Sequence, residues 1–138
     1  MKTVFVDTNV LVSGVFFYGP EATLLDTRSL LLVTAEVCER ELEQVAVRKS
    51  DAFGVSEDGA REMVGGAVVD IDVVPNEKYE EMYDDAVEVV GEGNDAEVLA
   101  AALMIEPDYL VTGDEDFQVD EVEGRVNVVE TREVLGSL

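Results

Sequence analysis

The sequence predicts an α/β domain built on a parallel sheet. Short apolar runs alternate with longer helix-period patterns along the 138 residues, which is the signature of strands joined by helical crossovers. The first and fourth runs are continuously apolar rather than alternating, as expected of strands covered on both faces. No polar linker, internal repeat or low-complexity stretch divides the chain, so a single domain over residues 1–138 is expected.

Taken in order, Thr3–Val6 reads as the first strand and residues 9–18 as the first helix. Leu30–Val33 is the second strand, followed by a helix over 34–49 whose apolar stripe is Val37, Cys38, Leu42 and Val45. A helix over 57–66 leads to a third strand, Val68–Val74. Residues 76–91 read as a helix with a solvated face of Glu80, Glu81, Asp84, Asp85 and Glu88, and an apolar side of Met82, Val87 and Val90. Residues 95–105 are almost wholly apolar and predict a deeply buried helix. Tyr109–Thr112 and Val126–Val129 are the fourth and fifth strands, and a short helix over 131–136 closes the pattern.

Composition narrows the chemistry. There is no histidine, so an imidazole base, a His-bound zinc and a Ser-His-Asp triad are excluded by inventory. Cys38 is the one cysteine, which excludes an intrachain disulfide and suits a buried apolar role. Nine basic residues against 32 acids give a formal net charge of −23. Self-repulsion on that scale disfavours a compact state unless salt screens it, so a protein working in very salty cytosol is expected. The aliphatic content, within a hydrophobic fraction of 47%, argues against disorder as the explanation. The chain opens on an apolar strand rather than a signal peptide and lacks a membrane-length apolar run, so a cytoplasmic location and no membrane are expected.

What remains for chemistry is oxygen, and four segments deliver it to one place. Asp7 follows the first strand directly, at the carboxyl edge where open α/β sheets bind ligands. Capping of the next helix would also explain it. Glu41 falls within the apolar stripe of its helix, one turn after Val37 and one before Val45. An acid there costs several kcal/mol unless a cation or a partner such as Arg48 compensates it. Asp95 opens the buried helix, whose N-terminus returns to the edge that holds Asp7, although N-capping is again sufficient on its own. Asp114 and Asp116 follow the fourth strand, with Gly113 allowing a tight turn and a close backbone approach. So many converging carboxylates call for a hard divalent cation, Mg²⁺ or Mn²⁺.

The segments Asp7-Thr8-Asn9-Val10-Leu11-Val12-Ser13, Asn94-Asp95-Ala96-Glu97-Val98-Leu99 and Thr112-Gly113-Asp114-Glu115-Asp116-Phe117 resemble those of PIN-domain nucleases, in particular VapC-type toxins. The resemblance implies a five-stranded parallel sheet of order 3-2-1-4-5 between helices, which sets Asp7 beside Asp114. It implies metal-dependent hydrolysis of RNA phosphodiesters, an antitoxin partner and a homodimer. Matched residue by residue, the family acids fall on Asp7, Glu41 (followed by Leu42), Asp95 and Asp114, with Asp116 nearby. Thr8, Asn9 and Thr112 match polar positions that orient water or carboxylates. The chain departs from the family in its scarcity of basic residues around the site, which weakens phosphate attraction at low salt. Two other readings stay open: a PIN scaffold that only binds protein or RNA, and a metal-dependent phosphatase. The latter wants a second Asp two residues after Asp7, where Asn9 stands.

Overall fold

The computed structural model describes residues 1–138 and contains one five-stranded parallel sheet in the order β3-β2-β1-β4-β5, flanked by helices. The expected fold and strand order are both present. Central β1 (Lys2–Val6) lies between β2 (Leu30–Ala35) and β4 (Tyr109–Val111), while β3 (Asp72–Val74) and β5 (Val128–Val129) form the two edges. Val4, Phe5 and Val6 are completely buried, which explains their unbroken hydrophobicity. The chain steps from β1 to one side and returns on the other for β4, so these neighbours flank the topological switch point. Val6 is in register with Val111, and the Asp7 amide donates to the Val111 carbonyl at 3.1 Å. The residues that follow the two strands therefore begin side by side.

Several boundaries differ from the sequence reading, each for a local reason. The first helix, α1, spans Thr8–Phe16, because the Asp7 carboxylate caps it one residue earlier than expected. A short α2 (Pro20–Leu25) was not foreseen; it is too brief for periodicity, but Pro20 at its first position is pre-organised for a helix start. Gly14 of α1 permits this helix pair to close, since a Cβ there would lie 2.8 Å from Leu25 Cγ. Thr34 and Ala35 pair with β3, so β2 runs longer than expected and α3 begins later, at Glu36–Arg48. Helix α4 (Glu57–Val68) is capped by the Ser56 hydroxyl and consumes Val68, leaving β3 to start at Asp72.

The helix expected over 76–91 is broken into α5 (Asn76–Tyr79), a 3₁₀ turn at Glu80–Met82, and α6 (Tyr83–Val90). The break falls at Tyr79, which leaves the helical path at φ −116° and ψ −2° with its ring buried and its hydroxyl accepting from the Val37 amide at 3.4 Å. The extra turn α8 (Asp120–Glu123) precedes β5, which is shorter than expected, and α9 (Thr131–Gly136) is held by a Glu130/Glu133 capping box.

Helix α7 (Asn94–Ile105) is the internal one. Ala96, Val98, Leu99, Ala100, Ala101 and Ala102 are all buried, and the small alanine side chains let its backbone approach its neighbours closely. It packs against α3, α5, α6 and β2, which fixes its N-terminus near the carboxyl ends of the central strands. No helix is long and apolar enough to cross a membrane.

Candidate metal centre

Asp7 lies at the base of the site and is only 6% exposed. Its Oδ2 accepts from the Thr112 hydroxyl at 2.7 Å and its Oδ1 from the Thr8 amide at 2.7 Å. Capping is thus half of its role: one oxygen starts α1, and the other is locked to the end of β4. Burial raises its proton affinity, partly offset by the Thr112 and Thr8 hydrogen bonds, while the Asp114 charge raises it further. Thr112 is the joint between the two segments, because its hydroxyl also accepts from the Asp114 amide at 3.0 Å.

Asp95, Asp114 and Asp116 form the compact part. One carboxylate oxygen from each lies within 4.8 Å of the others. Asp95 stands in the first turn of α7, where Gly93 precedes the helix without a side-chain cap, so its carboxylate is not consumed by capping. Asp114 Oδ1 accepts from the Asp116 amide at 2.9 Å, folding the loop into the 3₁₀ turn Glu115–Phe117 with buried Phe117 as its anchor. Burial, then the Asp114 charge, then hydrogen bonding and charge from Asp116 push the Asp95 carboxyl up to about 6. Gly113 does not have a positive φ. Its contribution is proximity: a Cβ there would lie 3.4 Å from Asn9 Nδ2, and its amide donates to Asn9 Oδ1 at 3.5 Å.

Glu41 reaches the same place from α3. It lines a cleft of about 430 Å³ together with Asp7, Asp95 and Asp114, while Thr8, Asn9, Ser13, Asn94 and Lys49 contribute polar and basic atoms. Glu41 is partly buried. Burial, then the charges of Asp7 and Glu97, raise its proton affinity, with Arg40 and a hydrogen bond from Asn94 pulling it back. The alternative partner, Arg48, does not neutralise it: the chain has one ion pair, Arg61–Asp58, on the surface. Lys49 was not anticipated, and Ser13 and Asn94 stood in the matching segments without an assigned role in the site. Ser13 follows Asn9 by one helical turn and Lys49 follows Glu41 by two, so helical spacing from the named residues was the available signal.

The donor set fits a hard divalent cation. It consists of carboxylate oxygen and carries several like charges that no ion pair neutralises, and Thr8, whose buried Oγ1 has no hydrogen-bond partner, lines the same cleft. A second recess of about 350 Å³ adjoins the cleft, sharing Asn9 and Ser13 and lined also by Thr112, Gly113 and Arg132.

No curated protein matches the sequence. Among solved structures, the fold is similar to VapBC2 from Rickettsia felis bound to a DNA fragment from its promoter, with a TM-score of 0.70, 12% identity, and coverage of 93% of this chain and 98% of that one. It is also similar to VapBC-1 from nontypeable Haemophilus influenzae, with a TM-score of 0.63, 16% identity, and coverage of 94% and 98%. A toxin–antitoxin complex from Klebsiella pneumoniae gives a TM-score of 0.66, 17% identity, and coverage of 93% and 97%. The sequence profile of the PIN domain matches residues 5–135. By that match over nearly its whole length, the chain belongs to the PIN-domain family.

Proposed function

We propose that this chain, a single PIN domain over 1–138, is a Mg²⁺- or Mn²⁺-dependent endoribonuclease and the toxin of a VapBC-type pair. The observation that carries the reading is the meeting of Asp95, Asp114 and Asp116 oxygens within 4.8 Å, in an open cleft at the switch point of the sheet. Those three carboxylates would hold the cation, and Asp7, fixed by Thr112 and Thr8, supplies the buried charge beneath them. When bound, a divalent ion polarises a phosphate oxygen and makes water acidic enough to act as a nucleophile near neutral pH.

The remaining work falls to the chain's own groups. With no histidine, the side chains of the cleft that can accept the proton from the attacking water are its carboxylates, unless the metal itself lowers the water's pKa far enough to dispense with one. Glu41 is suited to that, since it lines the cleft beside Asp7 and its proton affinity is raised by burial and neighbouring acids. Asn94 and Asn9 offer amides to orient water or phosphate, and Thr112 holds Asp7 and the Asp114 loop in register. The antitoxin partner is supported by the complexes in which similar folds occur. A homodimer and a high-salt cytosol complete the reading.

The test is cleavage of single-stranded RNA in high salt with Mn²⁺. Asp7→Asn and Asp95→Asn are expected to keep the fold, checked by circular dichroism, and to lose activity by more than about 100-fold. Full cleavage by both variants would sink the mechanism. Metal binding without products from the wild-type protein would leave a binding scaffold instead.

A further inference from the structure

A third of the chain's few cations are gathered in one place. Arg40, Arg48 and Arg61 line one shallow recess of about 500 Å³ between α3 and α4, together with Glu43, Gln44 and Val47. Three of nine basic residues thus share one place on a surface of net charge −23. Arg61 is engaged with Asp58 at 3.1 Å, whereas Arg40 and Arg48 form no ion pair. An acid-rich surface offers many carboxylates to pair with, so two exposed guanidiniums left unpaired are chemically available.

The recess and the acidic cleft share no lining residue, and α3 is the wall between them. On α3, residues 40, 44 and 48 form one stripe and residues 41, 45 and 49 the adjacent one. The second stripe lines the cleft, so the helix is a ridge with an arginine side and a carboxylate side. Arg40 is close enough to lower the proton affinity of Glu41, and Lys49 stands in the cleft next to Arg48. From Arg40 to Arg48 the ridge runs about 12 Å.

We infer that this recess is a subsite for the sugar–phosphate backbone of RNA flanking the scissile bond, an inference that rests on the nuclease reading. A polyanion entering an acid-lined cleft needs countercharge beside it, and this ridge supplies it. Arginine suits the task because its planar fork grips phosphate through paired hydrogen bonds. At about 1 M salt the screening length is about 3 Å, so long-range repulsion from the acidic surface is quenched while direct contacts persist. Val47 is the one apolar lining residue, and the core of a protein interface wants more apolar surface than that.

The experiment uses the intact protein and a triple variant, Arg40→Gln, Arg48→Gln and Arg61→Gln, with matching Arg→Lys changes as the charge-retaining control. Binding of a labelled single-stranded RNA is measured across a salt series with Ca²⁺ in place of Mn²⁺, and cleavage is measured with Mn²⁺. Losing three phosphate contacts is expected to reduce the slope of log Kd against log salt by about 2, at about 0.7 per contact. For the Arg48→Gln, Arg61→Gln pair, which leaves Arg40 beside Glu41, KM for a long RNA is expected to rise about five-fold with kcat unchanged, while a dinucleotide substrate is unaffected; these figures follow from losing uniform binding alone. The Lys variant should restore the slope. An unchanged slope and KM in the Gln variants overturns the inference, as does loss of self-association or of a protein partner with RNA binding intact. Failure of the wild-type protein to cleave any RNA defeats the nuclease reading instead, and the binding series then decides the recess on its own.

Discussion

Two groups of acids in this molecule show how one functional group serves opposite ends. On α6, Asp84, Asp85 and Glu88 are exposed to solvent. At the carboxyl edge of the sheet, Asp7 is buried, Asp95 and Asp114 are partly buried, and their neighbours are further carboxylates rather than bases. The outer acids are hydrated, and their mutual repulsion is relieved by salt. The inner ones are partly desolvated and held by Thr112, Thr8 and the turn that follows Asp114, so their repulsion is relieved by a bound cation or by uptake of a proton. The difference lies in what surrounds each side chain, and residue counts are blind to it.

The sharpest way to break this comparison is to neutralise each group in turn. Asp95→Asn is expected to lower Mn²⁺-dependent cleavage by more than about 100-fold, whereas Asp84→Asn, Asp85→Asn and Glu88→Gln together should leave it within about two-fold, as surface changes away from a site do. Equal losses from both would erase the distinction.

A smaller effect should appear in the pH dependence of stability without metal. Asp95 has its carboxyl pushed from 3.8 up to about 6 in the folded chain, so the native state holds a proton that the unfolded state has already released. Its contribution is therefore fully present below about pH 4 and lost as pH rises through about 6. Partial exposure screens it, leaving on the order of 1 kcal/mol. Urea melts of wild-type and Asp95→Asn protein between those pH values should diverge by that amount, and saturating Mn²⁺ should remove the wild-type loss. Parallel curves would place Asp95 among the hydrated acids.

The smallest effect separates the outer group. Thermal midpoints should rise with KCl, and the triple α6 variant should show a shallower rise with a higher low-salt midpoint, by about 0.5 kcal/mol or less per charge. A wild-type midpoint that fell with added salt would contradict the screening account.

Much of this was legible in the linear sequence, and the parts that were not have physical reasons. The parallel sheet and its central strand followed from unbroken apolar runs, because burial on both faces leaves no polar alternation. Glu41 was marked by its phase on α3, and the structure places it on the wall of the acid-lined cleft. Asp116, which sequence supported only by proximity to Asp114, stands in the compact three-acid group while remaining exposed, because its amide donates to the Asp114 side chain and so closes the turn beside Asp95. Helices α2 and α8 escaped notice since one or two turns carry no period. The arginine recess was invisible because Arg61 reaches it from a different helix.

The central claim is that Asp95, Asp114 and Asp116, backed by Asp7 and faced by Glu41, hold a divalent cation. A crystal structure grown with Mn²⁺, read by the anomalous signal of the metal, tests it most directly. The account predicts a Mn²⁺ ion coordinated by oxygens of Asp95, Asp114 and Asp116 within the cleft; Mn²⁺ bound only among the exposed acids of α6, or absent from the cleft at saturating concentration, would contradict it.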